Sequence, residues 1–154
     1  MKMTWVTLVL VTLGGCAVNR NSELREVVDD HFKPGQVWRL NGEWDGLTPT
    51  ATILRVEDSD KLGRVVHLCV DGIALPGPNE QPMRSISHMP FSKAAALKSL
   101  TVSSEMGSTS GELDGYETWR EAFDKGEAGV FTATIKETVD AMAETIRNND
   151  ASID

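Results

Sequence analysis

Apolar and polar residues alternate through the first half of the chain and recur every three to four positions through the second. In Gln36-Val37-Trp38-Arg39-Leu40, Trp38 and Leu40 share one face and Val37 and Arg39 the other, which predicts a strand. Pro34-Gly35 just ahead stops any helix, because proline disfavours the helical conformation in the residue before it. Ala51 to Val56 reads as a second strand and Arg64 to Val70 as a third. The turn clusters Asn41 to Gly46 and Asp58 to Gly63 separate these strands, and Asp71-Gly72 reads as the end of the third. Ser85 to Phe91 adds a fourth after the loop Pro76-Gly77-Pro78-Asn79. Such short connections favour an antiparallel meander.

Helical spacing takes over afterwards. Ser92 can cap a short helix running to Leu100, and Ser103 to Gly111 reads as a mobile Ser/Gly/Thr-rich loop. Asp114-Gly115-Tyr116-Glu117 has the form of a capping box, with Tyr116, Trp119 and Phe123 behind it and Gly126 as a stop. Thr134-Ile135-Lys136-Glu137 repeats that form ahead of the stripe Ile135, Val139, Met142, Ala143 and Ile146. Before Pro34, residues 17–34 read as a polar tether and a short helix. Ser22 would cap that helix, Leu24, Val27 and Val28 would form its apolar side, and Asp29-Asp30-His31 its solvated end. The expected fold is α+β: a small antiparallel sheet of three to four strands followed by two to three C-terminal helices, in one domain over residues 35–150.

The apolar run Met3 to Leu13 is about half the ~20 residues needed to cross a bilayer as a helix. With Lys2 in front and small residues behind, it predicts a secretory signal peptide over residues 1–15. Leu13-Gly14-Gly15-Cys16 resembles the lipobox of bacterial lipoproteins. That resemblance implies cleavage before Cys16, a thioether-linked lipid on its sulfur and an acyl group on its new amine, with residues 16–34 as the lipidated tether. Several acyl chains hold a protein stably to a bilayer where one does not. In two-membraned bacteria an aspartate after the cysteine commonly retains a lipoprotein in the inner membrane. Here that residue is Ala17, so the expected address is the outer membrane, facing the periplasm.

Charge narrows the choice of partner. Losing Lys2 with the signal peptide leaves 14 Lys+Arg against 23 Asp+Glu. This acidic balance disfavours nucleic acid and anionic lipid surfaces, which attract basic protein. The expected partners are the membrane, reached through the lipid on Cys16, and an envelope protein. With Cys16 lipidated, Cys69 has no cysteine left for an intramolecular disulfide, so stability must come from packing.

Four blocks, "PGQVWRL", "VVHLCVDG", "ISHMPFS" and "GYETWREAFDKGEAGVFT", resemble small uncharacterised bacterial proteins, over about Pro34 to Met142. The resemblance implies one small α+β domain and no catalytic residues.

Candidate chemistry is sparse. His67 and Cys69 lie two apart in the third strand and therefore share a face, roughly 7 Å apart at their origins. A nucleophile pair would need closer convergence. A metal site using His67, Cys69 and His88 lacks a ligand-spacing motif, so the expectation is a buried thiol beside a half-exposed imidazole, with no metal and no cofactor. Asp71-Gly72 is more simply a turn than a catalytic carboxylate, and Arg84 and His88 fall in an expected loop. Trp38 and Trp119 fit buried stripes. Trp44, among Gly42, Glu43, Asp45 and Gly46, is the candidate partner-binding residue, since tryptophan is enriched at binding hot spots. The expected function is a lipid-anchored envelope interaction or accessory module. The alternatives are an envelope hydrolase using His67 or His88 with an acidic partner, which requires a cleft holding both groups, and an inhibitor or immunity-type lipoprotein.

Overall fold

The computed structural model describes residues 24–78, 81–107 and 113–150. The expected signal peptide, the expected lipidation site Cys16, and Ser22 lie outside the described residues. Among these, six strands form one antiparallel sheet: β1 (Leu24–Glu26), β2 (Gln36–Leu40), β3 (Thr50–Ser59), β4 (Gly63–Leu75), β5 (Met83–Ser92) and β6 (Leu100–Met106). The helices are α1 (Lys93–Ser99), α2 (Leu113–Asp124) and α3 (Ile135–Asp150). Strand order is β5-β4-β3-β2-β6, and β1 pairs with β3 beside that path. The meander β2 to β5 and the α+β class agree with the sequence.

The sheet is larger than three to four strands for two reasons. Leu24–Glu26 is a strand, where a helix was expected, and it pairs with Glu57–Ser59 on the edge of β3 that β2 uses further along. β1 and β2 thus behave as one strand interrupted by an excursion, with Val27 and Gly35 donating to Val56 and Ile53 at its two ends. The open edge of β3 offers more backbone partners than three apolar side chains could supply to a lone helix. At the other edge, the expected Ser/Gly/Thr-rich loop begins instead as β6, which pairs with β2 from Leu40↔Leu100 to Gln36↔Met106. An edge strand needs backbone pairing more than an apolar face, and Thr101-Val102 suits extended backbone.

β4 runs on through Asp71-Gly72 to Leu75. Gly72, at φ 78°, sits within a register shift between Asp71 and Leu75, so the expected strand end is a bulge. Arg84 and His88 both lie in β5 and in no loop.

Helices cover both faces of the sheet, which is why Val65 to Val70 are all buried. On one face Val66, Leu68 and Val70 join Phe32, Ile53, Met89 and Phe91 under Ala95 and Ala96 of α1 and Ile135 and Val139 of α3. On the other, His67 meets Tyr116 and Trp119 of α2. Helix ends follow local chemistry. Ser92 Oγ accepts from Ala95 N–H to start α1. Thr134 and Glu137 exchange hydrogen bonds in a capping box at α3. After α2, Glu127 N–H bonds Ala122 O and Gly126 N–H bonds Phe123 O, a Schellman motif around Gly126. Asp114, expected as the cap of α2, lies inside its first turn.

A buried carboxylate clasps the β1–β2 excursion. Asp29 was expected at a solvated end, yet its side chain is fully buried. It accepts from His31 and Phe32 backbone N–H, from Arg64 Nη1 at 2.7 Å and from Lys93 Nζ at 2.8 Å. These donors hold the carboxyl below the usual carboxylate range despite the burial that opposes them. The clasp fixes Phe32 in the core.

Candidate functional site

His67 and His88 lie 21 positions apart, and the β4–β5 ladder brings their rings together with centroids 5.2 Å apart. Each projects to the α2 side of the sheet, opposite Leu68 and Met89. His67 Nδ1 is 3.0 Å from His88 Nε2. His67 is completely buried, where a half-exposed ring was expected. Behind it, Nε2 lies 3.1 Å from Glu57 Oε2, close enough for strong attraction but not aligned for a hydrogen bond.

Glu57 is itself 3 % exposed and ringed by partners. Tyr116 donates its hydroxyl to the carboxylate, 2.9 Å from Oε1 and 3.1 Å from Oε2. Arg55 stands 3.7 Å from Oε1 and places its guanidinium 4.6 Å from the centre of the Tyr116 ring. Burial alone would raise the Glu57 pKa, but His67, Tyr116 and Arg55 outweigh it and keep the carboxylate ionised. Burial is also the largest influence on both imidazoles, lowering His67 and pushing His88 down to about 4, so both are neutral at pH 7.

Tautomers follow from the carboxylate. An anion beside Nε2 of His67 favours the proton there, which leaves Nδ1 as an acceptor. His88 must then donate through Nε2. Its Nδ1 keeps a lone pair and has no protein hydrogen bond among the described residues.

α2 can approach this cluster because of Gly115. A Cβ there would lie 2.7 Å from His88 Cβ and 3.2 Å from Ser87 Oγ. One turn on, Trp119 packs its ring 4.8 Å from that of His67, and its indole N–H donates to Gly129 O. Trp119 was expected in the core and instead is half-buried at a groove of about 550 Å³, whose lining includes His88, Trp119, Ala122, Gly129, Phe131 and Met142. A larger apolar trough of about 680 Å³ lies across Phe131 and Met142, between β5 and α3, with walls including Leu75, Met83, Ile86 and Ile146.

The remaining candidates do not join this cluster. The Cys69 thiol is buried and points its Sγ toward Asp71 Oδ2 at 3.8 Å. Among the described residues no three His, Cys, Asp or Glu side chains converge as metal ligands, so His67, Cys69 and His88 form no such site. Arg84 is exposed. Trp44 is half-buried against the core; its indole N–H donates to Asn41 O, and Lys136 Nζ lies 5.1 Å from its ring centre.

Glu57, Tyr116 and Arg55 escaped detection in the sequence. One signal was available: Arg55 and Glu57, two apart in a strand, must share a face, and two opposite charges there imply a polar layer. The fold brings His67, His88, Tyr116 and Trp119 together from β4, β5 and α2. No family model matches the chain, and neither do curated proteins or solved structures.

Proposed function

We propose that the protein is a lipid-anchored cell-envelope interaction module that receives its partner along the apolar trough between β5 and α3. The trough itself carries this reading. Leu75, Met83, Ile86, Phe131, Met142 and Ile146 give it carbon walls beside an edge strand, where a partner's apolar side chains lose water on contact. Net charge supports a protein partner over nucleic acid, and the Leu13-Gly14-Gly15-Cys16 motif supports attachment through lipid at Cys16. An inhibitor or immunity-type role is one form of the same activity. The test is a photo-crosslinking residue at Thr145, on the trough wall, introduced into the full chain in its native envelope. A discrete protein adduct there, and none with the crosslinker at exposed Asp60, is expected; equal labelling at both positions overturns the trough as the interface.

The hydrolase alternative has one observation in its favour, since His88 lines a groove, although the Glu57 carboxylate is buried behind His67 and does not reach it. His88→Gln decides it: a folded variant that loses a measurable hydrolytic turnover by the about 10²–10⁴-fold expected of a proton carrier would establish an enzyme.

A further inference from the structure

The groove at His88 sets one imidazole in a mostly apolar and aromatic wall, where the Thr118 hydroxyl is already committed to Asp114 O. Ala122, Phe131, Met142 and the Trp119 ring supply the apolar surface. His88 supplies the polar group, and the inner contacts fix how it is presented. Glu57 sets the His67 tautomer, His67 Nδ1 takes the His88 Nε2 proton at 3.0 Å, and His88 Nδ1 is left as a lone-pair acceptor on the ring that lines the groove. Ring stacking at 5.2 Å between the two imidazoles, at an interplanar angle of 17°, holds the orientation before anything enters. A single oriented acceptor in an apolar, aromatic cleft is the pattern of a small-molecule site.

We propose that this groove binds a small neutral aromatic molecule carrying one hydrogen-bond donor, with the donor bonded to His88 Nδ1 and the ring packed against Trp119. A neutral ligand fits, because the charges around this cluster are already answered: Arg55 faces Glu57 at 3.7 Å and Arg120 pairs with Asp124 at 3.2 Å. The volume of about 550 Å³ exceeds that of one ring, so a two-ring compound also fits. The site does not depend on the trough, and either can fail alone.

The probes are phenol and toluene, which share a ring and differ in the donor. Titrations into the full chain are followed by the Trp119 indole N–H and the ring nitrogens of His88 in nuclear magnetic resonance. Phenol is expected to bind saturably and about five- to tenfold more tightly than toluene, the value of one neutral hydrogen bond, with the largest shift at His88 Nδ1. His88→Phe should abolish that preference. Because His88→Phe can also disturb His67, Ala122→Trp serves as a second variant: it fills the groove from the outer side of α2 and should weaken both probes at least about tenfold by occupying their volume. Equal affinity for phenol and toluene, no saturable binding of phenol, or phenol binding untouched by Ala122→Trp would each overturn the proposal.

Discussion

At the scale of single residues, the fold rests on buried charge that is fully partnered. Asp29 shows the cost of breaking such a group. Asp29→Asn keeps the shape, removes the charge that Arg64 and Lys93 answer, and should cost about 3 kcal/mol in a urea titration. Cys69 is the opposite case. Its thiol is 2 % exposed, so it should react slowly with thiol reagents in the native protein, and Cys69→Ala should cost about 1 kcal/mol through a small cavity. Rapid stoichiometric labelling at neutral pH would contradict that burial. Sequence spacing identified the buried thiol but not its neighbours. His67 and Cys69 share a strand face by simple alternation, whereas the contact of His67 with His88 depends on the β4–β5 register and on the bulge between Leu68 and Val70. Nor can spacing reveal that Asp29, in a run of polar residues, turns inward to meet cations from β4 and α1.

Elements were legible where a local signal fixed them. The span of β2, the Ser92 cap and the Thr134–Glu137 capping box depend on adjacent residues, and all three are present. β1 and β6 exist because β3 and β2 have open edges to fill, a fact about distant segments that no local pattern contains. The meeting of α2 with β5 has its own requirement at Gly115. Alanine there would favour the helix by up to about 1 kcal/mol. Its Cβ would nevertheless lie 2.7 Å from His88 Cβ, a clash whose relief costs about 1–3 kcal/mol. Gly115→Ala should therefore lower the melting temperature and move the His88 resonances, despite the better helix former. Unchanged melting and resonances would mean that α2 has room to shift.

For the whole molecule, acid is the sharpest probe. A histidine in the unfolded chain titrates near 6.5, while folded His88 is pushed down to about 4 and His67 is also lowered. Between those values the unfolded state takes up protons that the folded state refuses, so stability must fall as pH falls from about 6.5 toward 4. His88 alone accounts for on the order of 2 kcal/mol after allowance for its partial exposure. Below pH 4 the unfolded Asp29 carboxyl also protonates and the loss continues. Urea midpoints measured from pH 7 to pH 4 should decline steadily, and His88→Gln should flatten the decline. The proposed lipid anchor has a direct test: Cys16→Ser should move the protein into the aqueous phase of a detergent partition, and unchanged partitioning would overturn the anchor. The interrupted first strand gives the molecule a mechanical character as well. Among the described residues, tension from the N-terminal side reaches Leu24–Glu26 first, where three residues pair with β3. The next resistance is the Asp29 clasp, with two cations and two backbone donors. Pulled from this end, the domain should yield in two steps: an early slip of a few residues, then a stronger catch that protects the sheet.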